Sequence, residues 1–172
     1  TGDWTGALKH FERAVELNPE LPSVHSLHGL ALVQTGNPER AAAAFREELK
    51  RNPNDFDANI NLGALLRQEA SYEEALPHLR RALQLRPGSP AARYQIGALY
   101  VETDKPEEAR QILEDLLKEA PSFVEAHVSL ATAYYRLGRK AEGDREREII
   151  RKIEADRQAK EPGARPSEEQ EK

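Results

Sequence analysis

The chain has 172 residues, 38% hydrophobic, 32% charged and 6% aromatic, with a formal net charge of −5 and neither cysteine nor methionine. That length holds one ordinary domain or one short array of repeats, and the predominance of alanine, leucine, glutamate, lysine and arginine is the composition of an all-α chain. Lack of cysteine excludes a disulfide framework, thiolate-built zinc and a thiol nucleophile; the acidic balance speaks against nucleic-acid binding; and no run approaches the roughly 18 apolar residues needed for direct membrane insertion.

Taken in chain order, the first element is a helix over Asp3 to Leu17 with an apolar face of Ala7, Leu8, Phe11, Ala14 and Val15. The next, Val24 to Val33, is apolar nearly all round: Val24, Ala31 and Leu32 can face a core while Leu30 and Val33 remain on another face, so a second buried contact is expected. Asn37-Pro38, Ser89-Pro90 and Lys105-Pro106 each place proline at the first turn of a following helix, where its missing N–H has no intrahelical partner to lose. Asn52-Pro53-Asn54-Asp55-Phe56-Asp57 has the acidity of a calcium loop but lacks its mid-loop glycine and terminal glutamate, and is expected to be a helix-capping turn. Ser71 with Glu74 and Ser122 with Glu125 have capping-box spacing. Pro77, soon after a helix start, removes a donor and is expected to kink the helix unless it falls in the first turn. Ala92, Ile96, Leu99 and Tyr100, then Ala109, Ile112, Leu113 and Leu116, have helical spacing. From Arg139 to Lys160 the last helix is dense in alternating charge with an edge of Ile149, Ile150 and Ile153, as expected of a solubilising cap, and Glu161 to Lys172 is expected to be disordered.

These elements repeat. Pro19, Pro53, Pro87 and Pro121 recur every 34 residues, and the same step joins Gly2, Gly36, Ala70, Asp104 and Gly138. It also joins Ala7, Ala41, Ala75, Ala109 and Gly143, then Phe11, Phe45, Leu79, Leu113 and Arg147. Another column, Gly29, Gly63, Gly97 and Ala131, falls where two helices must approach closely. Short turns force neighbouring helices antiparallel, giving a stack of hairpins.

This pattern resembles the tetratricopeptide repeat, a 34-residue helix–turn–helix unit. Ile96-Gly97-Ala98-Leu99-Tyr100 stands for its Leu-Gly-x-x-Tyr, and Ala7 to Phe11 and Ala41 to Phe45 for its Ala-x-x-x-Phe. The resemblance implies an all-α, right-handed superhelical solenoid. Its units are the second helix of a truncated repeat at 1–21, repeats at 22–55, 56–89 and 90–123, a degenerate last repeat with an extended capping helix at 124–160, and a tail at 161–172. The start inside a repeat leads to the expectation that the array continues N-terminally. The family's early tryptophan is replaced by His25, Asn59, Arg93 and His127, which predicts a thinner or wetter packing layer.

Nothing in the sequence favours catalysis or a cofactor. His25 and His28 lie three apart on one helical face, but no third and fourth metal ligands accompany them, and His10, His25, His78 and His127 fall in repeat columns, as packing residues do. No phosphate-cradling loop or nucleophile elbow is present. In the family, inward residues of first helices hold a partner peptide. Carried over, this points to Ser26, Leu30 and Val33; Ile60, Asn61, Ala64 and Arg67; Tyr94, Ala98 and Val101; and Val128, Thr132 and Tyr135. Only Asn61 matches the set with which chaperone-binding members grip a terminal carboxylate; Ser26, Leu30, Ala91 and Gln95 stand where its other members are sought, so carboxylate capture is not expected. The expected partner is a protein or peptide with apolar anchors. The competing expectation is an assembly or spacer module that forms a homo-oligomer through its truncated N-terminal end at Phe11, or packs on a region N-terminal to it.

Overall fold

A computed structural model of the chain describes residues 3–160. The described residues form helices α1 (Trp4–Leu17), α2 (Val24–Gln34), α3 (Pro38–Arg51), α4 (Phe56–Gln68), α5 (Tyr72–Leu85), α6 (Pro90–Glu102), α7 (Pro106–Glu119), α8 (Val124–Arg136) and α9 (Lys140–Lys160), with no strand among them. The expected disordered tail lies outside the described residues. No described helix is long and apolar enough to cross a membrane.

Helix starts follow local chemistry. Pro38, Pro90 and Pro106 open their helices. Asp3 caps α1 by accepting the Gly6 N–H at 2.8 Å, and Asp55 caps α4 by accepting that of Ala58 at 2.7 Å, so the acidic Asn52–Asp57 segment is a capping turn. The two capping boxes do not form. The Ser71 N–H is already bonded to the Leu66 carbonyl at 2.8 Å, leaving Glu74 no donor to reach back to; at α8 the cap falls one residue later than Ser122, on Phe123. Pro77 lies beyond the first turn of α5, which nevertheless runs on to Leu85. The carbonyl four residues earlier, which loses its intrahelical donor to the proline, belongs to solvent-exposed Glu73.

Four turns from first to second helix share one device. Gly36, Ala70, Asp104 and Gly138 have φ of 75°, 58°, 55° and 73°. The N–H of the following residue reaches back to Leu32, Leu66, Tyr100 and Tyr134 at 2.8 to 2.9 Å, a Schellman closure of the first helix. The periodic small-residue column is therefore a column of left-handed turns. An L-residue with a Cβ is strained there by about 1–2 kcal/mol, so Ala70→Gly is expected to raise stability by about 1 kcal/mol, the remainder being lost to glycine's freer unfolded chain. A urea midpoint that stays level or falls would refute the strain.

The tryptophan column shows a second repeated device. His25 Nε2, Asn59 Nδ2, Arg93 Nε and His127 Nε2 each donate to the carbonyl of the proline six residues earlier, Pro19, Pro53, Pro87 and Pro121, at 3.1, 3.0, 3.0 and 2.9 Å. The layer is thus polar and satisfied. Second helices extend it: His78 Nδ1 donates to Asn59 Oδ1 at 3.3 Å, and in the equivalent pair His127 Nδ1 lies 2.5 Å from Glu146 Oε2.

The chain forms two compact units, one ending at Leu99 and one beginning at Tyr100. In the first, α1 packs on α2, α2 on α3, α3 on α4 and α4 on α5. A Cβ on Gly29 would lie 2.6 Å from the Phe45 ring, and one on Gly63 2.6 Å from Leu79. Each glycine thus seats the bulky residue of its hairpin partner, and Phe45 and Leu79 are fully buried. Ile60, Ala82 and Ala92 make one cluster across α4, α5 and α6, with Phe56 and Leu83 against it. Between α2 and α4, Asp55 accepts the Ser26 hydroxyl at 2.8 Å as well as capping α4. In the second unit α7 packs on α8 and α8 on α9, around buried Ala109, Leu113, Leu116, Ala126 and Leu130.

Candidate functional site

The C-terminal unit carries a defined hollow between α8 and α9. Its α7 side is anchored first: the Tyr134 hydroxyl donates to Glu114 Oε1 at 2.7 Å, and Arg110 bonds the other oxygen at 2.7 Å. Burial, then the bond to Glu114, pushes the Tyr134 phenol up to about 12. Burial opposes ionisation of Glu114, but the bonds from Tyr134 and Arg110 outweigh it and hold its carboxyl below the usual range. The Arg139 guanidinium lies 4.8 Å over the Tyr134 ring. With α8 fixed this way, the next residue, Tyr135, turns to α9: its ring lies where a Cβ on Gly143 would be, 2.7 Å away, and its hydroxyl donates to Asp144 at 2.8 Å. Glycine at 143, where the other repeats have alanine, is what admits the ring.

Beside Tyr135 the hollow has a volume of about 420 Å³ and is lined by Val128, Ala131, Thr132 and Tyr135 of α8 and Arg147, Ile150 and Arg151 of α9. Val128 is 50% exposed and Tyr135 37%, while the Thr132 hydroxyl is turned back to the Val128 carbonyl at 3.0 Å. The walls are apolar and the rim is cationic. Three residues expected from the sequence, Val128, Thr132 and Tyr135, therefore meet in one place. Arg147 and Arg151 were missed as binding residues, because the terminal helix reads as a solvated charged face; Ile150 was expected only within that helix's apolar edge, and Ala131, 4% exposed, only where two helices approach closely. Arg147, breaking the bulky column, was the available signal.

The other expected residues divide by burial. Leu30, Val33, Ala64 and Tyr94 are half-buried on α2, α4 and α6. Asn61 donates to the Asp57 carbonyl at 2.8 Å and Arg67 to Gln95 at 2.9 Å. Ser26, 2% exposed, is committed to Asp55, and Ile60, Ala98 and Val101 are buried, so these four present a partner with almost no surface. Their burial follows from the packing of neighbouring helices, which a one-helix face analysis does not contain. Among the histidines, burial pushes the His28 and His78 rings down, nearby Arg40 and Arg46 respectively adding to the effect, and His28 Nε2 is buried without a hydrogen bond. Among the described residues no group of three His, Cys, Asp or Glu is placed to hold a metal ion.

Family models described as tetratricopeptide repeat match residues 26–90 and 66–127, and a third, described as TPR repeat, matches residues 1–36. The chain belongs to the tetratricopeptide repeat family. No curated protein matches it in sequence. Solved structures similar to this tetratricopeptide protein include a crystal structure of MamA, 20% identical over 91% of both chains with a TM-score of 0.79. MamA from Desulfovibrio magneticus RS-1 is 23% identical over 90% of this chain and 88% of its own, with a TM-score of 0.80. YrrB, described as a TPR protein with an unusual peptide-binding site, is 21% identical over 90% of this chain and 79% of its own, with a TM-score of 0.76. At these identities the likeness is one of fold, that of an all-α helical-repeat solenoid. In this tetratricopeptide protein the fold is that of a protein-interaction scaffold.

Proposed function

We infer that this tetratricopeptide chain, organised as repeats at 22–55, 56–89 and 90–123 with a degenerate last repeat at 124–160, binds a polypeptide segment on the faces of its first helices. The observation that carries this reading is the α8 face, where Val128 and Tyr135 stay exposed beside a hollow while equivalent positions such as Ser26 and Ile60 are buried. Apolar rings with a polar tip make good anchors for a partner. Half-buried Leu30, Val33 and Ala64 offer a similar, shallower surface on α2 and α4. That a similarly folded protein, YrrB, is described by its peptide-binding site adds support at the level of fold. No residue of the face is arranged for bond chemistry, so the reading is of binding without catalysis. A photo-crosslinking residue at Val128, with a control at exposed Glu108 on α7, tests it in lysate of the source cell. Capture of a discrete polypeptide from Val128 and not from Glu108 is expected; equal capture, or none, counts against the reading.

A second reading has its own observation. In α3, α5 and α7 the small and bulky columns are fully buried at Ala41, Phe45, Ala75, Leu79, Ala109 and Leu113, whereas α1 has no buried residue and its Ala7 and Phe11 are half-covered. On this reading the α1 face packs against another copy or another segment of polypeptide. Mass that rises with concentration, and ceases to do so in Phe11→Glu, supports self-association. A monomer at every concentration removes it.

A further inference from the structure

The hollow on the C-terminal unit can be compared, column by column, with an internal repeat. Val128 and Ile150 occupy the positions of Ile60 and Ala82, which are buried in a cluster completed by Ala92 of the following first helix. What is uncovered at Val128 and Ile150 is therefore the seat of a following helix. The seat has been changed, however. Arg147 stands where Leu79 stands, and Arg151 where Leu83 stands. Like charges four apart on a helix repel by a few tenths of a kcal/mol, yet neither arginine makes a side-chain hydrogen bond or close ion pair among the described residues, Arg151 having only the more distant charge of Glu148. Elsewhere on α9 the opposite holds: Lys152 bonds Glu148 at 2.7 Å, and Arg139, just before the helix, bonds Glu142 at 2.9 Å.

An apolar helix laid on this seat, as Ala92 is laid on its own, would strip water from two guanidinium groups and give them nothing in return, which costs several kcal/mol. The occupant must bring carboxylates. Residues 161–172 bring glutamates but no leucine, isoleucine, valine or aromatic residue to fill the apolar hollow. We propose that the α8–α9 end face is a docking site for an acidic amphipathic helical segment of a partner protein, its apolar side chains on Val128, Tyr135 and Ile150 and its side-chain carboxylates on Arg147 and Arg151. This rests on the peptide-binding reading above and specifies the partner's chemistry at one of its faces.

The test is selection from a displayed library of random 16-residue peptides, each followed by a fixed Gly-Ser extension that removes the terminal carboxylate from play, against the full chain. Peptides with Asp or Glu spaced among Leu, Ile or Phe at helical intervals are expected to be enriched. By fluorescence anisotropy their affinity is expected to fall at least about tenfold when Glu is changed to Gln, or when the chain carries Arg147→Gln with Arg151→Gln. Both arginines are exposed, so that double variant keeps its melting temperature, whereas Val128→Asp abolishes binding of acidic and neutral peptides alike. Enrichment of apolar peptides without acidic residues, still dependent on Val128, overturns the proposed chemistry and leaves the peptide-binding face standing. Enrichment that Val128→Asp does not affect, or none, overturns both for this face. Concentration-dependent mass abolished by Val128→Asp makes a second copy the occupant and overturns the proposal.

Discussion

Phe45→Ala is expected to lower folding stability by about 3–5 kcal/mol, the cost of emptying a fully buried aromatic site. The site cannot collapse to refill the gap, because Gly29 opposite it has no side chain to advance and the ring's volume was shared between α2 and α3. The geometry also fixes a reversal of sign. In the wild type, Gly29→Ala places a methyl 2.6 Å from the ring, and the overpacking, about 1–3 kcal/mol, exceeds the roughly 1 kcal/mol of helix propensity gained. With Phe45→Ala already present the clash is gone, so the same Gly29→Ala is expected to stabilise. Urea midpoints of the four proteins decide the matter. Destabilisation by Gly29→Ala in both backgrounds would show that the glycine is needed for something other than the ring.

Asp55→Ala is expected to cost about 2–4 kcal/mol, chiefly through two losses at a carboxylate that also accepts the part-buried Ser23 hydroxyl at 3.2 Å. Removing the cap of α4 accounts for about 0.5–2 kcal/mol, and leaving the Ser26 hydroxyl buried without its acceptor for about 1–3 kcal/mol. Because the two losses share a partner, Ser26→Ala and Asp55→Ala should combine to less than the sum of their separate effects. Asp55→Asn keeps an acceptor oxygen in place and should cost well under half as much. Additive single variants would break the link between Ser26 and Asp55.

Much of this fold is legible in the sequence because its determinants are local and repeat. The prolines at 38, 90 and 106 mark helix starts, and the column through Gly36, Ala70, Asp104 and Gly138 marks turns. The capping boxes at Ser71 and Ser122 misled because spacing alone does not reveal that the Ser71 N–H is already spent on Leu66, or that α8 starts one residue later. The site was less legible, for a related reason. Ser26, Ile60 and Val128 share a column, yet neighbouring helices bury the first two, and Val128 stays open beside Arg147. A column predicts the shape of a seat; which neighbour fills it is a property of the assembled chain.

The bonds from His25, Asn59, Arg93 and His127 to prolines six residues upstream have a consequence for how such a chain can change its length. Each is closed within a single stretch of backbone. If residues 56–89 were excised, Arg93 would follow Pro53 by the same six positions at which it now follows Pro87. The fastening would be remade at once with a different proline, while Asn59 and its companion His78 would depart together. An excision from the same start that ended one residue earlier or later would put Arg93 seven or five positions after Pro53 and leave the fastening open. Loss of a whole repeat therefore keeps this bond in register as well as the hydrophobic columns.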